Sequence, residues 1–167
     1  GVLTISGTGA MEDFDYGTAP WCDYVADITS VVIEEGATSI GSMAFYGCTN
    51  LTEISIADTV ATIGKYAFYD CTGLSEISIP ANVTEIKEGT FWNSGLTSVT
   101  IPASIAKIGR WAFYDCAQLA EINFLGDAPT FTGEEVFANV EANATYVDGN
   151  ATWTDEVMQS YGGTISW

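Results

Sequence analysis

Residues Leu51–Gly73 read LTEISIADTVATIGKYAFYDCTG, and variants of this stretch fill most of the chain. We number the copies at residues 28–50, 51–73, 74–95 and 96–118 as repeats 1 to 4, and a degraded repeat 5 begins at Leu119. One such repeat cannot bury its own apolar edge, so successive copies must stack on one another. The sequence therefore predicts a repeat solenoid.

Apolar residues at the first, fourth and sixth positions of each repeat predict the main strand. In repeat 2 these are Leu51, Ile54 and Ile56, and the last two alternate with polar residues, as in a strand with one buried face. Each coil should then add one strand to a parallel sheet and rise by about 4.8 Å. Equivalent residues should form continuous core ladders, namely Phe45–Phe68–Phe91–Phe113 and Leu51–Leu74–Leu96–Leu119.

The two ends of the chain depart from the repeat and predict caps, because a stacked array exposes an apolar end that must be covered. We predict one domain over residues 1–167, with an N-terminal cap at 1–27, repeats at 28–124, and a degraded repeat with a C-terminal cap at 125–167. The alternating residues 2–6 predict a strand in the first cap. The last cap should contain strands near 145–147 and 164–167 and a short helix over 157–161.

The charge balance excludes several classes of partner. The chain has 22 acidic and 4 basic residues, a net charge of −18. Nucleic acid and anionic membranes would be repelled, and no apolar run is long enough to span a bilayer. An acidic surface favours solubility and cationic partners without specifying either. The whole basic complement is Lys65, Lys87, Lys107 and Arg110.

The residue types needed for catalysis are missing. The chain contains no histidine, so neither a serine nor a cysteine nucleophile has an imidazole base, and no phosphate-binding glycine motif occurs. The carboxylates of Glu53 and Glu76 should stand about 5 Å apart, but a repeat lattice imposes that spacing on any repeated residue. We therefore predict that the protein is not an enzyme and uses no cofactor or metal.

Three of the four cysteines, Cys48, Cys71 and Cys116, occupy one repeat position, while Cys22 lies in the first cap. The absence of CxxC pairs and of histidine argues against zinc. Adjacent coils are close enough for a Cys48–Cys71 disulfide, and buried free thiols are the other interpretation. The sequence leaves both open.

The repeat consensus LxxIxIPxxVxxIGxxAFxxCxx resembles the BspA-like class of bacterial leucine-rich repeats. Repeat 2 matches every fixed position except the proline, which Pro80 and Pro102 supply in the next two copies. Repeat 3 departs, with Gly89-Thr90 before Phe91 and Ser94 near the cysteine position. The resemblance implies a right-handed leucine-rich-repeat coil with a parallel sheet on one face, mostly β, with short helical or irregular convex segments.

Two surfaces are candidates for ligand binding. The first is the outward side of the strands, with short hydroxyls and spaced acids, although Ser and Thr also simply suit a crowded strand surface. The second is the aromatic residue that follows each core Phe, which could stack on a ligand or pack on the next coil. The candidates are Glu53, Ser55, Glu76, Ser78, Ser98, Thr100, Glu121 and Asn123 on the strands, and Tyr46, Tyr69, Trp92 and Tyr114 in the aromatic row.

The resemblance also implies a function, because BspA-like proteins look like secreted or surface adhesins. We therefore expect a non-catalytic, monomeric interaction module outside the cell or on its surface, binding a protein on a host or neighbouring cell. The alternatives are a carbohydrate-binding module that uses the aromatic row, and a structural spacer in a larger surface protein. Because Gly1–Leu3 looks like the start of a strand and no leader precedes it, we expect a longer precursor that supplies the signal and the anchor.

Overall fold

The computed structural model describes all residues from 1 to 167 and is a parallel β-solenoid with almost no helix. Its only helical element is one 3₁₀ turn at Cys22–Tyr24. In chain order the strands are β1 (Val2–Ile5), β2 (Gly9–Ala10), β3 (Ser30–Ile33), β4 (Ala37–Ile40), β5 (Glu53–Ile56), β6 (Thr62–Ile63), β7 (Glu85–Ile86), β8 (Ser98–Ile101), β9 (Lys107–Ile108), β10 (Glu121–Phe124), β11 (Thr130–Phe131), β12 (Glu141–Thr145) and β13 (Thr164–Ser166).

Strands occur on two faces of the solenoid. On the strand face, β1, β3 and β5 form one parallel sheet, and β8, β10, β12 and β13 form another. On the second face, β2, β4 and β6 pair in one sheet, and β7, β9 and β11 pair in another. The predicted repeat solenoid with a parallel sheet is therefore confirmed, and the second set of short strands was not predicted.

The predicted phenylalanine ladder forms a single column of stacked rings through the core. The ring centroids of Phe45, Phe68, Phe91 and Phe113 are 5.4–5.6 Å apart, and all four side chains are fully buried. Trp21 stacks on Phe45 at 5.8 Å and Phe137 on Phe113 at 5.6 Å, so the column extends one ring further at each end. The leucine ladder is buried as predicted, with Leu51, Leu74, Leu96 and Leu119 at most 1% exposed.

The third side of each coil, which we call the aromatic turn, covers residues 43–47, 66–70, 89–93 and 111–115. Here each coil donates backbone hydrogen bonds to the next. The N–H groups of Phe45, Phe68 and Phe91 each donate, at 2.9 Å, to the carbonyl of the residue just before the core Phe of the next coil. Two bulky residues in this turn, Tyr66 and Trp111, adopt left-handed φ values of 54° and 59°. A left-handed residue of this kind is costly outside glycine, by about 1–2 kcal/mol. The regular ladder and core packing must offset that cost in every coil.

The expectation that every coil contributes a strand is wrong for repeat 3. Residues 75–79 form no ladder with β5 before them or with β8 after them, and only the Ser75 carbonyl accepts a backbone bond, from the Thr97 N–H at 3.0 Å. The second face is also interrupted, because β6 and β7 do not pair. The junction between repeats 2 and 3, which we call the open junction, therefore has no strand ladder on either face, and its backbone bonds are those of the aromatic turn and the bond from the Gly95 N–H to the Cys71 carbonyl at 3.1 Å.

The sequence of repeat 3 differs from its neighbours beside the interruption. At the position before the aromatic turn repeats 1, 2 and 4 carry glycine, and a Cβ on Gly109 would lie 2.6 Å from the Glu88 nitrogen of the preceding coil. Repeat 3 carries Lys87 there, and its N–H makes no bond to Ile63, whereas the Gly109 N–H donates to the Ile86 carbonyl at 2.7 Å. Thr132 occupies this position in repeat 5 and its N–H still donates to the Ile108 carbonyl at 2.9 Å, so a side chain here accompanies the break but does not by itself cause it. Proline at residues 80 and 102 also removes the N–H that closes the end of the strand ladder elsewhere.

The ends of the chain match the predictions only in part. The first and last strands are confirmed as β1 and β13, but the strand expected at 145–147 lies earlier, as β12. The predicted helix over 157–161 is wrong. The N–H groups of Val157 and Met158 both donate to the Thr154 carbonyl at 2.9 Å, and this single turn stops at Tyr161, whose φ of 46° is left-handed. The Tyr161 ring instead stacks on Phe131 at 4.2 Å.

Candidate functional site

The eight candidate residues on the strand face point outward, as their repeat positions require. Seven are exposed, and Ser98 is half-buried. The ladders place Glu121 beside Ser98 on one side and beside Asn143 on the other. Glu53 and Glu76 are not ladder partners, because repeat 3 forms no strand. The predicted 5 Å acid pair therefore lacks the register on which it depended.

A hollow of about 440 Å³ lies on the strand face where repeat 3 fails to pair. This hollow was not predicted from the sequence. Its walls are mostly hydroxyl and carboxylate side chains, with Ile54 and Ile77 as the apolar members. Five of the eight strand-face candidates line it, while Ser55, Glu121 and Asn123 lie outside. The lining residues are Thr52, Glu53, Ile54, Ser75, Glu76, Ile77, Ser78, Ser98 and Thr100.

The aromatic row forms a continuous, half-buried strip beside the core column. Tyr46 and Tyr69 are stacked with centroids 5.0 Å apart and ring planes 6° apart. Trp92 meets Tyr69 edge-on at 5.0 Å and 74°, and Tyr114 lies 4.8 Å from Trp92. The rings pack on those of the next coil, as one interpretation of the sequence expected, and they remain partly accessible.

A pocket of about 260 Å³ opens within this strip, and we call it the aromatic pocket. It is lined by Met43, Tyr46, Tyr66, Tyr69 and Trp92, so three of its residues belong to the predicted row. Met43 and Tyr66 were not predicted as site residues. The sequence pattern that could have identified them is a second repeat position, two residues before the core Phe, that also holds large side chains.

Repeat 3 shapes this pocket because it has glycine at that second position. Met43, Tyr66 and Trp111 occupy it in the other repeats, and all are left-handed, as is Gly89 with a φ of 61°. The Tyr66 ring lies directly over Gly89, where a Cβ would overlap it. Any larger residue at position 89 would therefore displace one wall of the aromatic pocket.

The tyrosines of the aromatic pocket are held neutral. Burial, with a hydrogen bond to Tyr16, raises the pKa of Tyr46 to about 12, and burial, with a hydrogen bond to Glu88, raises the pKa of Tyr66 to about 12. Burial and the nearby carboxylates of Asp70 and Asp115 raise the pKa of Tyr69. All three therefore present uncharged rings beside fixed negative charges.

All four basic residues of the chain line one hollow on the second face, of about 550 Å³. Three are paired: Lys65 with Glu88 at 2.9 Å, Lys107 with Glu85 at 2.7 Å and Arg110 with Glu135 at 2.8 Å. Lys87, at the open junction, has no carboxylate within 4.0 Å. These pairs link neighbouring coils and leave this face close to neutral.

The cysteines and acids bring no further reactive centre together. All four thiols are free, and Cys48, Cys71 and Cys116 are fully buried. Burial raises the pKa of Cys48 to about 12 and of Cys116 to about 11, so these thiols stay protonated. No three His, Cys, Asp or Glu side chains cluster as metal ligands. The chain also has no helix of the length and hydrophobicity needed to cross a bilayer.

Comparison with known sequences identifies one family. A family model described as the BspA type leucine rich repeat region matches residues 22–145 in six copies. No curated protein sequence is significantly similar to the chain.

Comparison with solved structures gives the same fold. A leucine-rich repeat protein from Eubacterium ventriosum is 30% identical with a TM-score of 0.77, covering 90% of this chain and 40% of that one. The T. pallidum leucine rich repeat protein is 21% identical with a TM-score of 0.67, and the match covers 93% of this chain and 79% of that one. The pneumococcal vaccine antigen PcpA is 17% identical with a TM-score of 0.61, and the match covers 83% of this chain and 41% of that one. The last two likenesses show the fold alone, and this chain spans less than half of the E. ventriosum protein.

Proposed function

The chain belongs to the BspA-type leucine-rich repeat family, and on that premise we propose that it is a non-catalytic module that binds a protein partner through its strand face. The observation that carries the proposal is the strand-face hollow. It places Glu53, Glu76 and several hydroxyls on one accessible, concave surface. Repeat solenoids commonly use such extended surfaces for binding.

The chemistry of the strand face favours a partner with cationic groups. Its charged candidates, Glu53, Glu76 and Glu121, are all acidic and exposed, and none of them forms an ion pair within the chain. An acidic surface attracts a basic partner and accelerates its association. The hydroxyls between the acids can donate or accept hydrogen bonds, which would orient the partner.

We also propose that the module acts outside the cell or on its surface. The support is the family, whose BspA-like members look like secreted or surface adhesins. The E. ventriosum protein is longer than this chain, so a leader, an anchor or a further domain would belong to the whole protein. A structural spacer is the outcome if the module has no ligand of its own.

The test is binding to a panel of purified host matrix proteins by surface-immobilised wild type and two triple variants. The first variant carries Glu53→Lys, Glu76→Lys and Glu121→Lys on the strand face. The second carries Asp15→Lys, Asp148→Lys and Glu156→Lys, which are exposed acids outside that face. Both variants change the net charge of the chain by the same amount, so they differ only in where the three lysines lie.

We expect the strand-face variant to lose at least about tenfold in affinity and the control to stay close to wild type. Equal losses would attribute binding to net charge and remove the strand face from the proposal. A wild-type protein that binds nothing in the panel, and no glycan on an array, would favour the spacer.

A further inference from the structure

We propose that the aromatic pocket is a cage for the guanidinium group of an arginine on a basic segment of a partner protein. The inference deepens the proposed function, since it rests on the protein-binding role and adds a second contact on a different face. The pocket lies beside the aromatic turn, away from the strand-face hollow, and the two share no residue.

Ring orientation is the first argument. Tyr46 and Tyr69 are parallel, but Tyr66 meets Tyr69 at 76° and Trp92 meets it at 74°. Sugars stack best on flat, parallel platforms of rings, and this arrangement offers none beyond the Tyr46–Tyr69 pair. Rings inclined to one another around a hollow instead turn more than one electron-rich face toward one centre. Such cages suit organic cations.

The local charge is the second argument. The chain carries −18, and the carboxylates of Asp70 and Asp115 are close enough to Tyr69 to disfavour its ionised form. Asp70 is held in place by an amide N–H of Asn93 at 2.7 Å, which leaves its other oxygen available. Glu88 adds a further carboxylate next to Tyr66, although Lys65 already pairs with it. Aromatic walls with an acidic rim select a cation over a neutral ligand.

The third argument is an internal precedent on the same side of the solenoid. The guanidinium carbon of Arg110 lies 3.9 Å from the ring centroid of Trp111. The carboxylate of Glu135 accepts hydrogen bonds from the Arg110 guanidinium at 2.8 Å and from the Trp111 indole N–H at 2.9 Å. The chain therefore already holds one guanidinium between an aromatic face and a carboxylate. The lining side chains of the aromatic pocket supply rings and no basic residue, and the carboxylates of Glu88 and Asp70 lie next to Tyr66 and Tyr69.

The test uses calorimetric titration of the folded chain with a short Gly/Ser peptide that contains three arginines. The matched ligand replaces each arginine by citrulline, which has nearly the same shape and no charge. We expect the arginine peptide to bind at least about tenfold more tightly than the citrulline peptide. Equal affinity for the two peptides would overturn the proposal.

Three variants separate the pocket from the acidic surface in general. Trp92→Leu removes one wall, and Met43→Lys places a fixed cation at the pocket, so each should weaken the arginine peptide about tenfold. Ala117→Lys adds the same charge at an exposed site and should have little effect. Tyr24→Leu removes an exposed aromatic side chain outside the pocket and should also leave the affinity near wild type.

The outcomes are distinct from those for the proposed function. Full affinity in Met43→Lys and in a Trp92→Leu protein with an unchanged circular dichroism spectrum would place peptide binding elsewhere and overturn the cage. A neutral oligosaccharide that displaces the arginine peptide from the pocket would also overturn it, in favour of sugar binding. If arginine binding at the aromatic pocket is disproved, the strand-face proposal is still tested by its own variants, because none of their substitutions touches the aromatic pocket.

Discussion

The junction between repeats 1 and 2 and the junction between repeats 2 and 3 have the same core but different edges. At the first, β3 and β5 pair over four residues, and β4 and β6 pair over two. At the second, neither face has a ladder. Yet the phenylalanine centroids are 5.5 Å apart across the first and 5.6 Å apart across the second. The core column and the aromatic turn therefore set the coil spacing, and the strand ladders follow only where the local sequence allows them.

Removing a ring from the phenylalanine column should have the largest effect on stability. It tests whether the column stabilises the open junction as much as it stabilises a paired one. We expect Phe68→Ala and Phe113→Ala each to cost about 3–5 kcal/mol, because both rings are fully buried between two neighbours at similar distances. Urea denaturation measures both. A cost below about 1 kcal/mol for Phe68→Ala alone would show that the column does not hold the open junction.

The glycine position before the aromatic turn should show the next largest effect. Gly109→Ala places a Cβ against the Glu88 backbone, and we expect a loss of about 1–3 kcal/mol. Lys87→Ala, at the same position in repeat 3, is the matched control and should change stability by less than about 0.5 kcal/mol. Equal costs for the two would mean that the backbone at Gly109 is no more tightly packed against the preceding coil than the backbone at Lys87.

Amide hydrogen exchange should resolve the difference between the two kinds of junction directly. The N–H groups of residues 76–79 have no backbone acceptor, while those of β10 lie in ladders on both sides. We expect the former to exchange at least about tenfold faster at pH 7, because exchange there needs no opening of a ladder. Comparable protection of the two segments would contradict the described break.

The smallest effect concerns the ion pair that crosses the open junction. The ammonium of Lys65, with Tyr66, lowers the pKa of Glu88 in the folded chain. Its stabilisation is therefore present above the unfolded pKa of about 4.3 and is lost as the pH falls through the lower folded pKa. Because both groups are partly exposed, we expect Glu88→Gln to cost at most about 1 kcal/mol at pH 7 and less at lower pH.

Thermal unfolding of Glu88→Gln across pH 3 to 7 measures this dependence. Glu76→Gln is the control, since Glu76 is exposed and forms no ion pair. A cost for Glu88→Gln that grows as the pH falls would reverse the assigned sign.

The structural features that recur unchanged in each repeat were predictable from the sequence. The features that depend on the space between two neighbouring coils were not. Identical residues at a fixed spacing, such as Phe45 and Phe68, require a ladder whatever the details of the backbone. The open junction lies where Lys87 replaces the glycine of repeats 1, 2 and 4 and Pro80 lacks an N–H, and no periodicity reports whether such coils will still pair. The pocket wall at Tyr66 was missed for a similar reason, since its left-handed φ and its position over Gly89 are properties of the folded turn.

The break between repeats 2 and 3 also has a mechanical consequence. The sheets of the first half and those of the second half do not pair with each other, and the halves are joined by the aromatic turn, the Gly95–Cys71 backbone bond, the continuous core and a few side-chain bonds. Under tension applied to the chain ends, this junction has no strand ladder to share the load, so the two halves would separate there before either one unravels.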